Sequence, residues 1–255
     1  MDAAPAIPPP DASTPEPSSL TDRLANVIIA PGEVFEEVRR APVRASNWLV
    51  PLLVVCAISI VFIFVAFSQP PVLRAMDEQR AGAFQKKVAA GKMTQAQADQ
   101  IAAATEKFVT PTFLKIAGSG GAVLSSTALL FLIALVFKLA LKWFADSSVS
   151  YMKTVETCGL AMVILVPQII IRIWLVLWKQ NLLVTVGPTL FLANPNPANK
   201  VHLFLAIFDI VDIWWLSILS FGLSKVANVR FRTAAFLVFA LWYGFRIIAV
   251  LLTPA

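Results

Sequence analysis

Apolar blocks about as long as a bilayer is thick constrain this chain more than any other feature. Residues 48–67, 121–144, 157–178, 203–223 and 233–252 each form one. A transmembrane helix needs about 20 mostly apolar residues. The excess is visible in composition too: 58% of the 255 residues are hydrophobic, against about 45–50% in an ordinary soluble domain. The blocks predict an all-α polytopic membrane protein with about five transmembrane helices.

Around the blocks the chain changes character. Residues 1–19 are rich in Pro, Ala, Ser and acidic residues. They cannot bury enough apolar surface to offset the entropy of ordering, so a disordered Pro-rich tail is expected. They also lack a basic start followed by an apolar run, so no signal peptide is expected. The membrane domain then covers residues 20–255. Thr21 is a candidate cap for a short first helix. Pro31 suits the first turn of a second helix, because its missing N–H would be unpaired there anyway. That second helix puts Val34, Phe35 and Val38 on one face, with Glu33, Glu36, Glu37, Arg39 and Arg40 around them. The pattern fits an amphipathic segment lying on a membrane surface or on the protein's own bundle.

Pro70 and Pro71 end the first span, and a polar insert fills residues 72–115. Two helices are expected in it, over about residues 73–89 and 94–108. Gly91 is a stop signal. Thr94 with Gln97 three residues on reads as a capping box. This is an extramembrane helical hairpin between spans one and two. Gly118, Gly120 and Gly121 are expected to loosen the start of the second span, and Pro167 should kink the third. Residues 182–193 are apolar but short and broken by Gly187 and Pro188, so they read as re-entrant or interfacial.

The net charge of +6 is carried beside the apolar blocks. There, Lys and Arg favour anionic headgroups and fix orientation, so the bilayer is the expected partner and nucleic acid is not. Arg39, Arg40, Arg44, Lys142, Lys153, Lys225, Arg230 and Arg232 fall in alternate short loops. By the positive-inside rule the N-terminus is cytoplasmic and the C-terminus external.

Four charged residues lie inside expected spans: Arg172, Asp209, Asp212 and Arg246. An unpaired charge at the bilayer centre costs at least about 2.5–3.5 kcal/mol. Arg172, Asp209 and Arg246 each lie about six residues from the external end of their span, or roughly 9 Å at 1.5 Å per residue. Asp212 is one turn deeper. Antiparallel helices would bring all four to nearly one level, as a buried polar network that either fixes helix register or marks a solute path.

Catalytic templates are absent from the sequence: there is no phosphate-binding Gly-Lys-Ser/Thr loop, no HExxH and no G-x-S-x-G elbow. Cys56, Cys158 and His202 are dispersed and do not match a zinc site. No enzyme activity, cofactor or metal is expected.

Ala30-Pro31-Gly32-Glu33-Val34-Phe35, Trp48-Leu49-Val50-Pro51-Leu52 and Phe208-Asp209-Ile210-Val211-Asp212-Ile213-Trp214-Trp215, followed by Gly222-Leu223-Ser224-Lys225-Val226, resemble the Yip1-domain family over residues 20–252. The insert, including Lys92-Met93-Thr94 and Glu106-Lys107-Phe108, resembles the bacterial branch. That implies a five-span protein of a bacterial inner membrane. Eukaryotic relatives act with Rab-type GTPases in vesicle trafficking, but no GTPase-binding residue maps onto this chain. The reading is a non-enzymatic membrane-organising adaptor, with membrane-protein partners or self-association. The alternative is a small transporter or channel subunit using the charge network.

Overall fold

Proline and small capping side chains set most helix starts in the computed structural model, which describes residues 18–253. The expected disordered tail therefore falls almost wholly outside the described residues. Pro31, Pro70 and Pro111 each open a helix. The Ser19 hydroxyl accepts from Asp22 N at 3.1 Å, so the first helix, α1 (Leu20–Ile29), is capped two residues before Thr21. The second, α2 (Pro31–Arg40), follows at once. Its exposed face carries Glu36, hydrogen-bonded by Arg39 and Arg40. The Arg39 hydrogen bond, the larger effect, holds the Glu36 carboxyl below the usual carboxylate range.

Next come α3 (Ser46–Ala66), α4 (Pro70–Ala89), α5 (Gln95–Phe108) and α6 (Pro111–Ala145). Thr94 and Gln97 form the expected capping box, with Gln97 N donating to Thr94 Oγ1 at 3.2 Å and Thr94 N donating to Gln97 Oε1 at 2.9 Å. Gly91 has φ +66°, the left-handed conformation that turns α4 into α5. The two helices pack chiefly on each other. Their root is held where Val72 and Met76 meet Ala66, Phe62, Val176 and Leu182.

The second expected span is corrected at its start. Residues 118–121 do not loosen it, because α6 runs unbroken through 35 residues from Pro111. The third consists of α7 (Tyr151–Ala161), a 3-10 turn (Met162–Ile164) and α8 (Leu165–Lys179). The irregular turn sits just before Pro167, whose ring cannot donate to Val163 and crowds its carbonyl.

The fourth expected span is also corrected. Residues 203–223 are not one helix: α9 (Lys200–Leu205) ends in a turn, and α10 (Ile210–Val226) begins only after Asp209. The Asp209 carboxylate accepts from Val211 N at 2.8 Å, so this acid caps the start of α10. The last helix is α11 (Phe231–Leu252). Among the described residues, four segments are long and apolar enough to cross a membrane: Ser46–Ala66, Pro111–Ala145, Tyr151–Lys179 and Phe231–Leu252.

The core lies between α7 and α10, with α2, α3, α6 and α11 packed around them. Leu160, Ile164, Leu216, Leu219 and Leu223 are its buried centre. Phe35 and Val38 belong to it as well, and Val34 is only 4% exposed. Of the two places expected for this apolar face, a membrane surface or the protein's own bundle, it takes the second, and Pro31 starts a helix that closes one end of the bundle. Removing α1 and α2 would open the core rather than strip off an appendage.

Candidate functional site

Two buried polar clusters occupy opposite ends of the bundle. The first fastens α1 and α2 to it. Glu156 on α7 is fully buried, and its Oε1 accepts from Arg44 N at 2.7 Å and from Asn47 Nδ2 at 2.9 Å. Asn47 Oδ1 in turn accepts from Arg23 Nη1 on α1 at 2.6 Å. Lys153 Nζ lies 2.9 Å from Glu156 Oε2 and donates to the carbonyls of Val38 at 2.6 Å and Ala41 at 2.7 Å. A cation on the last carbonyls of α2 also complements the negative end of that helix. Sequence reading missed this cluster. Glu156 sat unremarked at the edge of an expected span, Arg23 was given no role, and Lys153 counted only as a loop charge that sets orientation.

The second cluster holds the four charges expected inside spans. Asp212, in the first turn of α10, pairs with Arg246 of α11 and accepts from Gln168 Nε2 of α8 at 2.7 Å. Arg172 stands apart. Its Nη2 reaches the Leu182 carbonyl at 3.4 Å, and its guanidinium lies over the Phe62 ring, 5.8 Å from the centroid. Among the described residues no carboxylate oxygen lies within 4.0 Å of it, and no cation within 4.0 Å of Asp209. The four residues therefore do not form a continuous chain of ion pairs. They instead surround one cavity of about 500 Å³, together with Gln168, Trp215 and Trp242. Gln168 was legible in principle, since it precedes Arg172 by four residues and so shares its helical face.

The segment between α8 and α9 closes this end. Thr185 N donates to Thr189 Oγ1 at 2.9 Å, and Ile210 N donates to the Val186 carbonyl at 2.9 Å. Val184 and Thr189 are buried within protein, and Leu182, Leu183 and Thr185 line the cavity. Protein groups thus satisfy backbone of this irregular segment.

The Asp212–Arg246 pair makes a direct prediction. Asp212→Ala leaves a half-buried guanidinium without its acceptor and should destabilise the protein by about 1.5–3 kcal/mol, the worth of a hydrogen bond to a charged group. Thermal unfolding in detergent checks it. Adding Arg246→Gln to Asp212→Ala should cost little more, because the partner is already unpaired.

Long apolar helices with charged groups gathered inside the bundle define an integral membrane protein. The chain belongs to the Yip1-domain family, whose domain matches residues 25–253. No curated protein and no solved structure matches it.

Proposed function

We propose that this protein is a non-enzymatic adaptor that organises other components of a bacterial inner membrane. The arm formed by α4 and α5 carries the proposal. Beyond its root it packs chiefly on itself, and positions such as Gln85 and Gln95 are exposed. An arm built this way contributes little to the core and is free to meet a partner. We further propose five crossings, with α10 as the fourth: its 17 residues fall at the short end of the about 17–25 a crossing needs. Arg39, Arg40, Arg44, Lys153, Lys225 and Arg230 share the end closed by α1 and α2. That supports a cytoplasmic N-terminus, an external arm and an external C-terminus.

A photo-crosslinking residue at Gln85 or Gln95, activated in native membranes, should give discrete adducts. The adducts should be absent without activation, and deletion of residues 77–106 should abolish co-purification of the same partner while the membrane level of the protein is unchanged. If neither position yields a discrete adduct from normally expressed protein, the adaptor reading fails. Solute flux in reconstituted vesicles that depends on Asp212 would favour a transporter instead.

A further inference from the structure

The cavity between α6, α8, α10 and α11 leaves one cation and one anion unjoined. Its four charges sum to zero, but only Asp212 and Arg246 meet. Of the five N–H donors of Arg172, one makes a hydrogen bond, at 3.4 Å. Among the described residues its buried Nε has no acceptor, and neither do the buried indole N–H groups of Trp215 and Trp242, which line the same cavity. Asp209 uses one oxygen to cap α10 and has the Gln168 amide beside it, but no cation lies within 4.0 Å of its carboxylate among the described residues. Buried charges need a partner, because taking them from water unpaired is costly.

The remainder of the lining says where that partner comes from. It is mostly apolar, with Val55, Leu130, Ile133, Met162 and Leu165 among its residues. Only two lining residues are exposed: Leu129 at 50% and Phe245 at 71%. Leu129 continues along α6 into exposed Leu132 and Val136, and Phe245 along α11 into exposed Ile248 and Leu252. These spacings of three and four residues make one apolar stripe on each helix, of the kind that faces acyl chains. The cavity thus opens sideways toward hydrocarbon and is charged at its floor. Its about 500 Å³ lies within the about 300–1,000 Å³ typical of ligand sites.

We propose that this cavity binds the zwitterionic headgroup of a membrane phospholipid that carries a primary ammonium. The phosphate accepts from Arg172 and the ammonium donates to Asp209. The acyl chains leave between Leu129 and Phe245. A primary ammonium is required because Asp209 needs a hydrogen-bond donor, which a quaternary ammonium does not have.

The test is native mass spectrometry of the detergent-purified full chain with phosphatidylethanolamine, phosphatidylcholine and phosphatidylglycerol of identical chains. Phosphatidylethanolamine should be retained about tenfold over the other two. Asp209→Asn keeps the helix cap and should abolish that preference. Arg172→Gln should weaken retention of all three. Leu129→Trp should block the mouth without touching a charge, and Lys179→Gln, outside the cavity, should change nothing. Equal retention of the three lipids by the wild type overturns the proposal, as does a preference that survives both Asp209→Asn and Leu129→Trp. Soluble glycerophosphoethanolamine that competes as well as the lipid overturns the lipid source.

Discussion

Glu156→Ala is expected to cost about 3–5 kcal/mol, the penalty for removing one partner of a buried ion pair. The carboxylate is fully buried, so its partners are left inside the protein when it is lost. Arg44 N and Asn47 Nδ2 lose their acceptor, and Lys153 Nζ loses its counter-ion. Because Lys153 also holds the end of α2, the damage should appear first as loosening of α1 and α2. Thermal unfolding in mild detergent gives the magnitude. Limited trypsin cleavage gives the place, since Arg39 and Arg40 on the exposed face of α2 should be cut sooner. Adding Lys153→Met should cost less than the sum of the two single changes. Strict additivity would mean that the charges are not coupled.

Gly159→Ala should be nearly as damaging, for a different reason. A Cβ there would sit 2.4 Å from Trp48 Cα, on the backbone of α3. A side chain in the way can rotate, but backbone cannot move without separating the two helices. Overpacking costs about 1–3 kcal/mol and occasionally more, and contact with main chain places this site at the top of that range. Gly244→Ala on α11 is the control, because nothing lies within 4 Å of an added Cβ there. It should be neutral or raise stability by up to about 1 kcal/mol, since alanine loses less entropy in a helix. If both variants melt alike, close approach of α3 and α7 is not what fixes the bundle.

Sequence reading succeeded where the determining interaction is local. The Thr94 and Gln97 capping box, the turn at Gly91, and the break before Pro167 all lie within a few residues of their cause. The apolar face of α2 was legible as a face, but not what would cover it. Its partners on α7 and α10 are more than a hundred residues away. The cluster at Glu156 was hidden for the same reason: Arg44 and Asn47 precede it by 112 and 109 positions. At Asp209, hydropathy averaged across a turn and drew one helix where there are two. The signal was present, since an acid preceding an apolar helical run is a common cap. Sequence reading singled out Arg172, Asp209, Asp212 and Arg246, which line one cavity, but their pairing depends on how α8, α10 and α11 are rotated, and periodicity does not fix that.

The uninterrupted length of α6 has a geometric consequence. Its 35 residues span about 52 Å at 1.5 Å per residue. A bilayer is about 30 Å thick in its hydrocarbon and about 40–45 Å with its headgroups. Even at an average tilt of about 20°, the helix still reaches roughly 49 Å along the normal. That reach exceeds the bilayer with its headgroups by about 4–9 Å, so the surplus length of α6, and not a loop, sets how far from the apolar layer α5 joins it.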